Sequence, residues 1–231
     1  MRRVAGRLGG LARNACVLGV IAAVCCTAAG AAGSPASFQL TIVATTHADW
    51  DHTTAPVEAN GCTTSERSQG SLTVNFRTRR PVRVSFVDGR ITPVGMGPLD
   101  GTATLAGPNT LNQVCGTSES HTPQSCAKSI RTFRGVTTHA SSTQPGSIKL
   151  GPLRVQLRAI DCPREPVELR RDPLGPVPGP LKVATNTLSH TRFTHITLTA
   201  SASRRFKYGP LEQGTLQQRT FWRVTLVRVR P

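Results

Sequence analysis

The residues of this chain with the most chemical potential lie within six positions, His47-Ala48-Asp49-Trp50-Asp51-His52. Two imidazoles and two carboxylates this close together offer the nitrogen and oxygen donors that hold zinc. A zinc ion with an open coordination position lowers the pKa of its bound water until hydroxide forms near neutrality. His47, Asp49, Asp51 and His52 are therefore the candidate metal ligands. His121, His139, His190 and His195 are the imidazoles able to complete such a set from a distance. Other catalytic signatures are lacking. No Gly-x-Ser-x-Gly turn presents a serine nucleophile, no Gly-x-x-x-x-Gly-Lys loop cradles phosphate, and no Cys-x-x-Cys pair anchors structural zinc.

The segment resembles the metal-binding loop of metallo-β-lactamase-fold hydrolases, in which a strand ends in Thr-His-x-His-x-Asp-His. Thr46, His47, Asp51 and His52 match that pattern, and Asp49 stands where the second histidine belongs. The resemblance implies one or two zinc ions and an activated water, and so a metal-dependent hydrolase centred on His47 to His52 as the alternative function. It covers this loop alone. Thr53-Thr54 replaces the glycine pair that follows the last histidine, and the helices of a two-layered αββα fold have no counterpart in the sequence. The leading reading of the segment is a polar loop after the first strand, with no cofactor.

The elements that must position these residues read as strands. Phe38, Leu40, Ile42 and Ala44 alternate with Gln39 and Thr41; Leu72, Val74 and Phe76 alternate with Thr73 and Asn75; Val82, Val84 and Phe86 alternate with Arg83 and Ser85. Such a period of two gives each strand one face for a core and one for water. Asp88-Gly89, between apolar runs over residues 82–87 and 90–94, supplies the positive φ angles of a tight hairpin turn. Further strands are expected around Ile148 and Leu150, along Leu153, Val155 and Leu157, along Ile196, Leu198 and Ala200, and along Trp222, Val224 and Leu226. Pro173, Gly175, Pro176, Pro178, Gly179 and Pro180 crowd a loop near residues 172–180, read as a crossing between sheets. The expected fold is all-β: one disulfide-stabilised antiparallel β-sandwich over residues 34–231, immunoglobulin-like or jelly-roll-like.

Residues 1–33 carry the marks of a helical, cleaved Sec-type signal peptide: Arg2, Arg3, Arg7 and Arg13, then an uncharged run from Ala15 to Ala32 and small residues around Ser34-Pro35. The expected location is extracytoplasmic, in the periplasm, the cell wall or the medium, with no stable membrane insertion after cleavage. Of seven cysteines, Cys16, Cys25 and Cys26 fall in this segment and Cys62, Cys115, Cys126 and Cys162 remain. An even set in an oxidising compartment implies two disulfides. Three connectivities are open. The short polar loop between Cys115 and Cys126 closes easily and favours that pair, with Cys62 joined to Cys162.

Subtracting the four arginines of the signal from the formal net charge of +16 leaves +12. That balance attracts polyanions such as the acidic polymers of a cell envelope, although a GC-rich codon bias also raises arginine content. Arg77, Arg79, Arg80 and Arg83 gather on one hairpin and its approach, with Arg90 beyond, and Arg154 and Arg158 lie further along. Arg204, Arg205 and Lys207 flank Phe206 and Tyr208. These are the candidate anion-binding residues. The scarcity of aromatic side chains weighs against stacking platforms for sugars or single strands and against a specific nucleic acid partner. The reading that results is an exported, non-catalytic binding or structural protein that associates with anionic envelope polymers.

Overall fold

The computed structural model describes residues 35–136, 138–153, 155 and 162–230. The expected signal peptide, Leu157, Arg154 and Arg158 lie outside them. These described residues belong to one compact unit.

The chain runs through β1 (Ala36–Thr53), β2 (Val57–Ala59), β3 (Cys62–Thr78), β4 (Val82–Val87), β5 (Arg90–Ile91), β6 (Val94–Gly95), β7 (Leu99–Ala106), β8 (Asn109–Cys115), β9 (Ser118–Gln124), β10 (Ser129–Val136), β11 (His139–Ser141) and β12 (Ser147–Leu150). It continues through helix α1 (Val167–Arg171), β13 (Leu181–Lys182), helix α2 (Thr185–Ser189), β14 (His195–Lys207) and β15 (Gln213–Arg228). The result is a mostly antiparallel β fold. A large sheet is ordered β10-β7-β3-β1-β15-β14, and a small one β13-β12-β11-β6. Long strands carry two neighbours in succession on one side: β1 pairs first with β4 and then with β3, and β3 pairs first with β8 and then with β7.

Alternation sets the faces of the large sheet. Phe38, Leu40, Ile42, Ala44, Thr46, Ala48 and Trp50 of β1 are all buried on one side, and Leu216, Trp222, Val224 and Leu226 of β15 join them. Met96, Ile148, Leu150, Leu153, Leu169, Leu174, Leu181 and Leu188, drawn from the small sheet, the helices and the loops, complete a single core cluster over that face. Each large apolar side chain buried this way contributes about 1.5–3 kcal/mol relative to exposure. Trp50 sits opposite Gly70 on β3, where a Cβ would collide with its indole. The indole Nε1 donates to Ser68 Oγ at 3.0 Å, and that hydroxyl donates to the Arg164 carbonyl at 2.7 Å.

The Pro/Gly-rich stretch is irregular, as expected, and is fixed to the inner face by polar side chains. Thr46 Oγ1 donates to the Leu174 carbonyl at 2.6 Å and Thr220 Oγ1 to the same oxygen at 3.2 Å. Gln218 Nε2 reaches the carbonyls of Asp172 and Pro173, and Trp222 Nε1 that of Pro176. Polar groups buried here are affordable because they satisfy backbone carbonyls that a proline-rich loop cannot pair in a sheet. Gly175 has φ +75°, and a Cβ there would strike Thr220 Oγ1. Only glycine fits both conditions.

Several expectations change. The strand expected to end at Thr46 continues to Thr53, so residues 47–52 are strand rather than loop. The reason is that Ala48 and Trp50 keep the inward phase between the polar residues. Leu153 and Val155 are not in a strand. The cysteines pair as Cys62–Cys115 and Cys126–Cys162, not as Cys115–Cys126 and Cys62–Cys162. Cys62 and Cys115 are directly opposite in the β3–β8 ladder, with Cα atoms 4.2 Å apart. This is close to the spacing of a pair that exchanges no hydrogen bonds, where facing side chains come nearest. Register therefore decides the partner, and loop length does not. The Asp88-Gly89 turn is as expected, with φ +49° and +73°, and Asn60-Gly61 makes a second turn of the same kind between β2 and β3.

Candidate binding face

Strand alternation distributes the histidine–aspartate segment over two faces. His47, Asp49 and Asp51 point to the outer side of the large sheet, away from the core, while His52 shares the phase of Ala48 and Trp50. His52 Nε2 lies 3.0 Å from Glu212 Oε2, and its ring centroid is 4.4 Å from that of Tyr208. Asp51 accepts from Arg67 Nη2 at 2.6 Å, from Arg67 Nε at 3.0 Å and from Gln69 Nε2 at 2.9 Å. Those bonds from Arg67 hold its carboxyl below the usual carboxylate range. His47 Nδ1 is 3.2 Å from Thr73 Oγ1. Among the described residues, no three His, Cys, Asp or Glu side chains come together as a metal would require. The segment that resembles a zinc loop is a pleated strand whose donors face opposite ways or are taken by neighbours.

The candidate basic residues also separate. Arg79 forms a two-pronged pair with Asp100, at 2.7 and 2.8 Å. Arg77 projects from the outer face opposite Val43 and Asp100, Arg80 is exposed in the turn after β3, and Arg83 is exposed on β4 opposite Gln39. Arg204 is an even-phase residue of β14 and turns inward. Its Nη1 meets Asp172 Oδ2 at 2.7 Å and its Nε meets Gln218 Oε1 at 2.6 Å, so it anchors the proline-rich loop rather than an external anion. Burial raises the Asp172 carboxyl above its ordinary value in spite of Arg204. Arg205 and Lys207 occupy the odd phase and face outward.

The outer face gathers residues that clustering along the chain does not show. Arg219, Phe221 and Arg223 project from alternate positions of β15, and Arg134 from β10. Phe221 is 44% exposed, and the Arg219 guanidinium carbon lies 4.5 Å from its ring centroid. The signal for them is the outward phase of the last strand, which reads Arg-x-Phe-x-Arg. Three shallow depressions cross this face. One is lined by Val43, Thr45, Thr199, Ser201, Phe221 and Arg223. The second shares Val43 and Thr45 and continues past Asn75 to Thr132 and Arg134, and the third shares Phe221 and extends to Arg205 and Arg219.

Comparison of the chain with protein families, with curated proteins and with solved structures finds no match. The chemistry of the face itself is the guide. Guanidinium groups, hydroxyls and amides dominate it, and these are donors suited to holding oxyanions and hydroxylated chains.

Proposed function

We propose that this protein is an exported binding or structural module without catalytic activity, a β-sandwich in which the small sheet and the two helices form the second layer. It associates with anionic polymers of the cell envelope through the outer face of its large sheet. The observation that carries the reading is the state of Arg205, Arg219 and Arg223. All three are exposed on one face, and among the described residues none forms an ion pair. Guanidinium groups left uncompensated add to a charge that is strongly positive over the whole chain, and such a field draws polyanions to it. Export is supported by the basic, then uncharged, then small-residue order of residues 1–33. Among the described residues, no helix is long and apolar enough to cross a membrane.

Binding of the exported protein to heparin and to polyphosphate, followed across a salt series, tests this. Association should weaken steeply as salt rises, because neutralising a polyanion releases its condensed counterions. Binding that is absent at low salt, or indifferent to salt, would sink the reading. The N-terminal residue of the exported form should fall near Ser34.

A further inference from the structure

The large sheet carries on its outer face a single row of six uncharged side chains, one from each strand of the main path. Ser201 on β14 faces Phe221 on β15, Phe221 faces Thr45 on β1, and Thr45 faces Asn75 on β3. Asn75 faces Thr102 on β7, and Thr102 faces Thr132 on β10. Five inter-strand spacings make the row about 24 Å long. It runs along the floor shared by two of the depressions, with Phe221 joining it to the third.

The rims of this floor differ from it in charge. The neighbouring row on one side places Arg223 opposite Val43 and Val43 opposite Arg77, with Arg134 at its end on β10. On the other side Arg219 faces His47 and Ser203. Asp100 at the rim is engaged by Arg79. Arg219 also lies against the Phe221 ring, which holds its guanidinium beside the floor.

We propose that this trough binds a linear acidic polysaccharide, lying across the strands from β14 to β10. The inference rests on the anionic-polymer reading above and adds the site and the ligand class. Thr45 Oγ1 donates to Asn75 Oδ1 at 2.9 Å, which leaves the Thr45 oxygen to accept and the Asn75 amide to donate. With the other floor hydroxyls they match sugar hydroxyls, which are both donors and acceptors, and Phe221 offers an apolar edge to a sugar ring. The rim arginines match carboxylate or sulfate substituents, which guanidinium groups grip in a bidentate manner. A nucleic acid would need a series of rings on which to stack its bases, and the floor has one ring. A polyphosphate would only accept from the floor hydroxyls and amide, and would leave their acceptor oxygens without a donor. The shortage of aromatic residues moves recognition from stacking to hydrogen bonds and ion pairs.

Calorimetric titration of the disulfide-bonded protein with polygalacturonate, dextran sulfate, polyphosphate and neutral dextran tests the assignment. Both acidic polysaccharides should bind more tightly than polyphosphate of equal charge, and dextran should not bind measurably. Thr45→Val with Thr102→Val keeps strand shape and removes two hydroxyls. It should weaken polysaccharide binding about tenfold and polyphosphate binding by clearly less, because only the polysaccharide also donates to those hydroxyls. Arg219→Gln with Arg223→Gln should weaken all the polyanions, whereas Arg80→Gln with Arg83→Gln, outside the trough, should weaken none by as much. Equal affinity for polyphosphate and polysaccharide, or no effect of the threonine pair, would overturn the trough and leave the electrostatic reading standing. Failure of every polyanion to bind at low salt would overturn both.

Discussion

Arg204 and Arg205 are consecutive residues with opposite environments. Arg204 is turned to the inner face, where Asp172 and Gln218 take its donors, while Arg205 is exposed on the outer one. A basic pair in a sequence therefore counts as a single external charge when it sits in a strand. Tyr208, the residue directly after β14, gives a probe of the same inner region. Its hydroxyl donates to Glu168 Oε2 at 2.7 Å, and burial together with the Glu168 carboxylate pushes its ionisation well above the ordinary tyrosine value. The native state thus holds this proton more tightly than the unfolded chain does. The associated stability is complete below about pH 10, where free tyrosine ionises, and declines as pH rises beyond it. Tyr208 is the single tyrosine of the chain, so its phenolate absorbance can be read without interference. In native protein it should appear only at a pH above that of the denatured protein, and Glu168→Gln should bring the two closer. Coincident titration curves would contradict the hydrogen bond.

At the scale of elements, the first half of β3 with β2, β8 and β9 forms a ribbon that differs from the rest of the large sheet. β9 is exposed along its whole length, and Leu111 and Val114 of β8 and Val57 of β2 are exposed as well. With little apolar burial, this ribbon depends on the Cys62–Cys115 bridge. Replacing both cysteines with serine should cost about 2–4 kcal/mol, and the loss should be local. Limited proteolysis with mass spectrometry should find new cleavages within β8 and β9, while the two tryptophans keep their native fluorescence. Protease resistance equal to that of the parent would show that the bridge is dispensable. The same ribbon explains what the sequence leaves hidden. Alternation announces strands with one buried face, such as those containing Phe38, Leu72, Val84 and Trp222, and turn chemistry announces the hairpin at Asp88-Gly89. β8 and β9 have no buried face to announce. The loop at residues 172–180 is evident from its prolines, but its docking depends on Thr46 and Thr220, whose partners lie far along the chain. Likewise the outer face becomes legible only in register, because its floor takes one residue from each of six strands.

For the molecule as a whole, the decisive pairing joins the first long strand to the last. β1 matches β15 continuously from Phe38↔Arg228 to Thr53↔Gln213, and this pair lies inside the main path of the sheet. Arg228 reinforces it, since its guanidinium donates to the carbonyls of Leu188, His190 and Phe193 and lies 4.7 Å from the Phe38 ring centroid. A chain ending at Pro210 should therefore lack a cooperative unfolding transition, as measured by tryptophan fluorescence in urea. A sigmoidal transition in that fragment would show that β15 is an addition to the sheet rather than its axis. The pairing has a kinetic consequence as well. Contacts between residues nearly two hundred positions apart must wait for the slowest loop closure, and the central ladder cannot begin until β15 has left the ribosome. If the proposed export threads the chain unfolded, as a Sec-type signal implies, that delay is an advantage: the chain remains threadable during synthesis, and its native state becomes reachable only once β15 has arrived on the same side of the membrane as β1.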